Sequence, residues 1–130
     1  MAMDSNRKTA LISACIFCGF ASAHLIDEFV WGAPQEFHLS TEFTQILALA
    51  FMISLVGLVV RAASGSRFGF GGMALIGLLI TLADVLKHLY EILQSGPWRS
   101  GFVSEFLALG LIVSGIVMFT TSCRVWRADQ

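Results

Sequence analysis

The strongest constraint on this chain is that it repeats itself. His24-Leu25-Ile26-Asp27 leads through Gly32-Ala33-Pro34 to Glu42-Phe43, and His88-Leu89-Tyr90-Glu91 leads through Gly96-Pro97 to Glu105-Phe106. Pro34 and Pro97 each precede their glutamate by eight residues, and Arg61 and Arg124 follow it by nineteen. Ala10-Leu11-Ile12 and Ala74-Leu75-Ile76 each begin fourteen residues before their histidine. The offset is 64 before the prolines and 63 from them onward, so one gap aligns residues 10–61 with 74–124. Self-similarity at a fixed period is the mark of a duplicated structural unit.

Composition says what that unit is. The chain is 56% hydrophobic and 13% charged, whereas a soluble domain carries about 25% charged residues. So little polar material does not cover a water-facing surface, and the 130 residues suffice for four spans of about 20 residues each. The glycines and prolines place those spans at about 8–31, 41–62, 70–94 and 101–126. Gly32-Ala33-Pro34 and Ser95-Gly96-Pro97 act as stops, Ser64-Gly65-Ser66-Arg67 as the middle linker, and Ser40 or Thr41 as an N-cap. Gly71, Gly72 and Gly77 permit close helix contact. Short links make neighbouring helices antiparallel. The expected fold is therefore all-α: residues 1–130 form a single polytopic membrane domain, a four-helix up-down bundle of two duplicated hairpins. Because each copy contains two spans, the copies share one orientation and are related by an axis along the membrane normal.

Arg7, Lys8, Arg61, Arg67, Arg124 and Arg127 fall on the side of the termini and the middle linker, against Lys87 and Arg99 towards the other. By the positive-inside rule both termini are cytoplasmic and the two repeated turns face outward. Trp31 and Trp98 suit the outer interface, and Trp126 the inner one. Arg7-Lys8, an apolar run and Ala21-Ser22-Ala23 imitate a signal peptide, but this segment belongs to the repeat and is read as a span. A net charge of −1 speaks against nucleic acid as a partner. The partner implied is the lipid bilayer, with a homo-oligomer or a larger membrane complex compatible with it.

Polar residues gather near the repeated turns. His24 and His88 lie roughly 10 Å below the helix ends at 1.5 Å per residue. Asp27 and Glu91 follow them by three residues on the same helical face. Glu42 and Glu105 open the returning helices at similar height. The candidate site is therefore two histidines and four carboxylates, His24, Asp27, Glu42, His88, Glu91 and Glu105, with Glu28, Asp84 and Lys87 nearby. This inventory resembles the ligand sets of bundle di-iron and di-manganese proteins, with Glu-x-x-His reversed to His-x-x-Asp and His-x-x-Glu. The cofactor implied is a transition metal, iron, manganese or zinc, with redox chemistry open to it. Whether the chain is an enzyme stays open at this point.

Three other readings use the same residues. The polar cluster stabilises the bundle of a small structural or accessory subunit, the carboxylates pairing with the histidines or with helix N-termini. It handles protons in a proton-linked carrier. Or His24 and His88 are the two axial ligands of a haem, although carboxylates beside an apolar macrocycle are costly. Separately, Cys15-Ile16-Phe17-Cys18 is a C-x-x-C that resembles the redox motif of membrane thiol oxidoreductases such as the vitamin K epoxide reductase family, themselves four-helix bundles. No second cysteine pair is present to relay electrons, so these thiols read as buried apolar cysteines. Phe43, Phe51, Phe102, Phe106 and Phe119 read as lipid-facing or packing residues, and Glu36 and His38 as a solvated loop or a lid.

Overall fold

A computed structural model describes residues 4–31, 38–93 and 101–128, the side chains of 89–93 lying outside that description. Among the described residues there are four helices: α1, Ser5–Val30; α2, Thr41–Ala63; α3, Arg67–Leu93; and α4, Phe102–Ala128. Each is long and apolar enough to cross a membrane, and their outward faces carry exposed side chains such as Ile12, Ile53, Leu79 and Leu109. Outward-facing apolar residues on every helix are what a lipid solvent requires.

The ends follow local rules. Ser40 accepts a hydrogen bond from the Phe43 amide at 3.1 Å and so caps α2. At the other end of α2 the Gly65 amide donates to Ala62 O and the Ser66 amide to Arg61 O, at 2.9 and 3.0 Å. This is the Schellman pairing, and it needs the positive φ of 89° that Gly65 adopts.

Packing is most extensive between α3 and α4 and between α1 and α4; α2 packs less on α3 and least on α1. The helices thus form a ring in chain order, with α1 and α3 on one diagonal. The buried residues explain the seams. In α4 they include Ser104, Ala108, Leu111, Gly115, Met118, Ser122 and Val125, and in α1 Ala10, Ala14, Phe17, Ala21 and His24. In α3 Phe70, Ala74, Gly77, Thr81, Asp84 and His88 are buried. All three series alternate steps of four and three, the spacing that keeps one helix face on its neighbours. Most members are small, which lets backbones approach where lipid removes any hydrophobic drive to associate.

Two glycines mark a close approach of α3 and α4. A Cβ on Gly77 would lie 2.9 Å from Gly115 O, and one on Gly115 would meet Thr81 Oγ1 and stand 3.2 Å from the Phe17 ring. Polar pairs join α1 and α4 on either side of this point. Ser13 Oγ and Thr121 Oγ1 are 3.0 Å apart, and Ser104 Oγ donates to Asp27 Oδ2.

The six cations Arg7, Lys8, Arg61, Arg67, Arg124 and Arg127 lie at the end of the bundle holding the α2–α3 turn. There the Arg7 guanidinium stands 5.9 Å from the Phe70 ring centroid. α2 buries only Leu55 and Ala62, both in its C-terminal half. Cys15 is exposed, not buried as the sequence led one to expect, and Cys18 is half-buried. The α1 seam runs through Ala14 and Phe17, which turns the residues beside them outward. Phe43, Phe102 and Phe106 are exposed, while Phe51 and Phe119 are half-buried.

Candidate metal centre

Towards the C-terminal ends of α1 and α3 the small residues of their seams give way to ionisable ones. The α1 series Ala10, Ala14, Phe17, Ala21 continues to His24. The α3 series Phe70, Ala74, Gly77, Thr81 continues to Asp84 and His88. The same spacing that packs the helices therefore aims three polar side chains at one another across the diagonal. All three are buried: His24 is 6% exposed, Asp84 7% and His88 4%. The two imidazole centroids are 5.7 Å apart. Asp84 Oδ1 stands between the rings, 3.3 Å from His24 Nε2 and 3.2 Å from His88 Nε2.

One potential ligand atom from each of His24, Asp84 and His88 lies within 4.8 Å of the others. Metal–nitrogen and metal–oxygen bonds of about 2.0–2.1 Å at the tetrahedral angle put adjacent ligand atoms about 3.3–3.4 Å apart. The two distances to Asp84 match such an edge, so this group is compatible with a metal site.

A second polar pair borders the trio. Glu28, one turn beyond His24, places Oε1 at 3.7 Å from His24 Nε2 and Oε2 at 2.5 Å from Lys87 Nζ. With both imidazoles neutral, two carboxylates and one ammonium leave one negative charge in the cluster. A buried, uncompensated charge is costly, so the cluster favours a bound cation or a proton. Two further buried atoms, His24 Nδ1 and Asp84 Oδ2, have no hydrogen-bond partner among the described residues.

The six residues expected from the sequence are distributed unequally. His24 and His88 come together in the trio. Asp27 is half-buried and accepts from Ser104. Glu42 and Glu105 lie in the first turns of α2 and α4, and both are exposed. The side chain of Glu91 lies outside the described residues, as do Glu36, Pro34, Pro97 and Trp98. His38 is exposed, with a positive φ of 56°. The residue that sequence reasoning left at the margin is Asp84. It stands four residues before His88, one helical turn away on the same face, and that spacing was its available signal.

A cavity of about 370 Å³ reaches the cluster from between α1, α2 and α3, with His24, Asp84 and Lys87 on its wall. It lies beside the N-terminal half of α2, the half in which no residue is buried. No family model, curated protein or solved structure matches the chain.

Proposed function

We propose that this multi-pass membrane protein binds one transition-metal ion through His24, Asp84 and His88. The observation that carries the reading is the spacing about Asp84 Oδ1, 3.3 and 3.2 Å from the two imidazole nitrogens, among three buried side chains. Two imidazoles and a carboxylate suit zinc or iron(II) better than manganese, which prefers oxygen ligands. Three protein ligands leave a coordination position for water or substrate, the pattern of catalytic sites as opposed to closed structural ones. A bis-histidine haem fits poorly, since Asp84 Oδ1 occupies the space between the rings that a macrocycle would need.

By the positive-inside rule the cation-rich end is cytoplasmic, and the metal centre lies towards the outer face. Single thiols introduced at Ser40 and at Ser66 in a cysteine-free background test this. An impermeant reagent added to intact cells should label the first and spare the second; the reverse pattern overturns the orientation.

The test of the metal is elemental analysis of protein purified in mild detergent. About one ion per chain is expected, with affinity falling on acidification because protons compete for the same nitrogens and oxygens. Less than about one tenth of an ion per chain after reconstitution would favour the rival reading instead. In that rival, one imidazole takes up a proton to neutralise Asp84, and the cluster holds the bundle together or handles protons. Glu42→Gln and Glu105→Gln test directly whether the wider six-residue set takes part.

A further inference from the structure

We infer that the cavity between α1, α2 and α3 binds a small lipophilic alcohol or phenol, its hydroxyl on Asp84 and its apolar body along α2. This rests on the same cluster as the metal reading, but on different atoms of it. The wall is apolar over most of its extent, with Leu25, Leu47, Ala48, Phe51 and Ile80 among its residues, and its polar members are His24, Asp84, Lys87 and Thr44. A ligand filling it is therefore apolar with one polar end.

The cluster chooses that polar end. Asp84 lines the cavity, is buried, and has one carboxylate oxygen, Oδ2, without a hydrogen-bond partner among the described residues. A buried acceptor left unsatisfied costs free energy that a donor recovers. The head group must then donate, which a hydroxyl does and a ketone or ester does not. An anionic head such as a fatty-acid carboxylate is disfavoured. Lys87, the cation on the wall, is already bound to Glu28 at 2.5 Å and so offers a second carboxylate no free counter-ion. Asp84 Oδ1 is the oxygen directed at the two histidines, and use of Oδ2 by a ligand leaves Oδ1 for an ion. Entry is from the bilayer, past the N-terminal half of α2.

The experiment uses the full chain in lipid nanodiscs, photolabelled with an alkylphenol carrying a diazirine in its tail. The label is competed by 4-hexylphenol, hexylbenzene and 4-hexylbenzoate, and metal content is measured on the same samples. The phenol should compete at concentrations at least about tenfold lower than either analogue, the order of one hydrogen bond to a charged acceptor. Label should map to the α2 segment around Leu47 to Phe51. Ala48→Phe, which puts a ring into the cavity from α2 and replaces none of the trio, should cut labelling at least tenfold and leave metal content unchanged. Equal competition by hexylbenzene, label mapping elsewhere, or undiminished labelling of Ala48→Phe overturns the inference. Should that variant fail to fold, the label position and the competition order in the parent decide alone. A sample that retains metal without preferring the phenol overturns this inference only; one that prefers the phenol without retaining metal overturns the metal reading only.

Discussion

In the alignment of residues 10–61 with 74–124, α2 and α4 fall at matching positions, each with a glutamate in its first turn, yet they are seated differently. α4 buries residues along its whole length, Ser104 to Val125; α2 buries two, Leu55 and Ala62. The 63-residue offset pairs Gly115 with Met52 and Ser122 with Val59. Gly115 lets α4 close on Gly77 with no room for a Cβ, an approach that methionine at Met52 would preclude. In lipid a Leu-rich face gains little by leaving the bilayer, so small residues at regular spacing decide which helix packs. The looser seat of α2 leaves the cavity open beside His24 and Asp84.

Substitutions at repeat-equivalent positions can break or sharpen this contrast. The largest effect is expected at Gly115. Gly115→Leu should destabilise the bundle by about 3 kcal/mol, the upper end of overpacking costs, whereas Met52→Leu should cost less than about 1.5 kcal/mol. Denaturant titration in detergent measures both, and equal costs would mean that α2 and α4 pack alike.

His24 and His88 align at the 64-residue offset and meet in the structure. His24→Ala and His88→Ala should each weaken zinc binding by at least about a hundredfold, since even residues behind the ligands cost up to that much. Calorimetric titration reads the affinities. Loss at one position only would show that the histidines are equivalent in sequence but not in function.

Ser104 ties α4 to α1 through Asp27. Ser104→Ala should cost about 0.6–1.7 kcal/mol, the range of interhelical hydrogen bonds in membranes. The denaturant titration used for Gly115 reads it, and no change would remove this tie from the account of why α4 packs well.

The smallest effects belong to Glu42 and Glu105. Both are exposed in the first turn of their helices, where a negative charge contributes about 0.3–1 kcal/mol. Glu42→Gln and Glu105→Gln should change stability by no more than that and zinc affinity by less than about twofold. A tenfold loss of affinity in both would bring the two glutamates into the proposed metal site.

What the sequence by itself determined is what depends on composition and local chemistry. Long apolar runs specify four spans, because a backbone in lipid must satisfy its hydrogen bonds within helices. Ser40 and Gly65 stop α2 within a residue or two of the expected ends, since capping is a contact between near neighbours. The repeat directed attention to His24 and His88, because it relates positions independently of how helices rotate. Only the tertiary structure decided which carboxylate stands between them. The counterpart of Asp84 at the 64-residue offset is Phe20, so the alignment that pairs the histidines passes over their partner. In helices apolar on every side, hydrophobic periodicity does not reveal which face turns inward. That was decided by the steps of four and three along α1, α3 and α4, which turn Asp84 towards His24 and His88 and Glu105 outward, while Glu42 stays exposed on α2, which buries only Leu55 and Ala62.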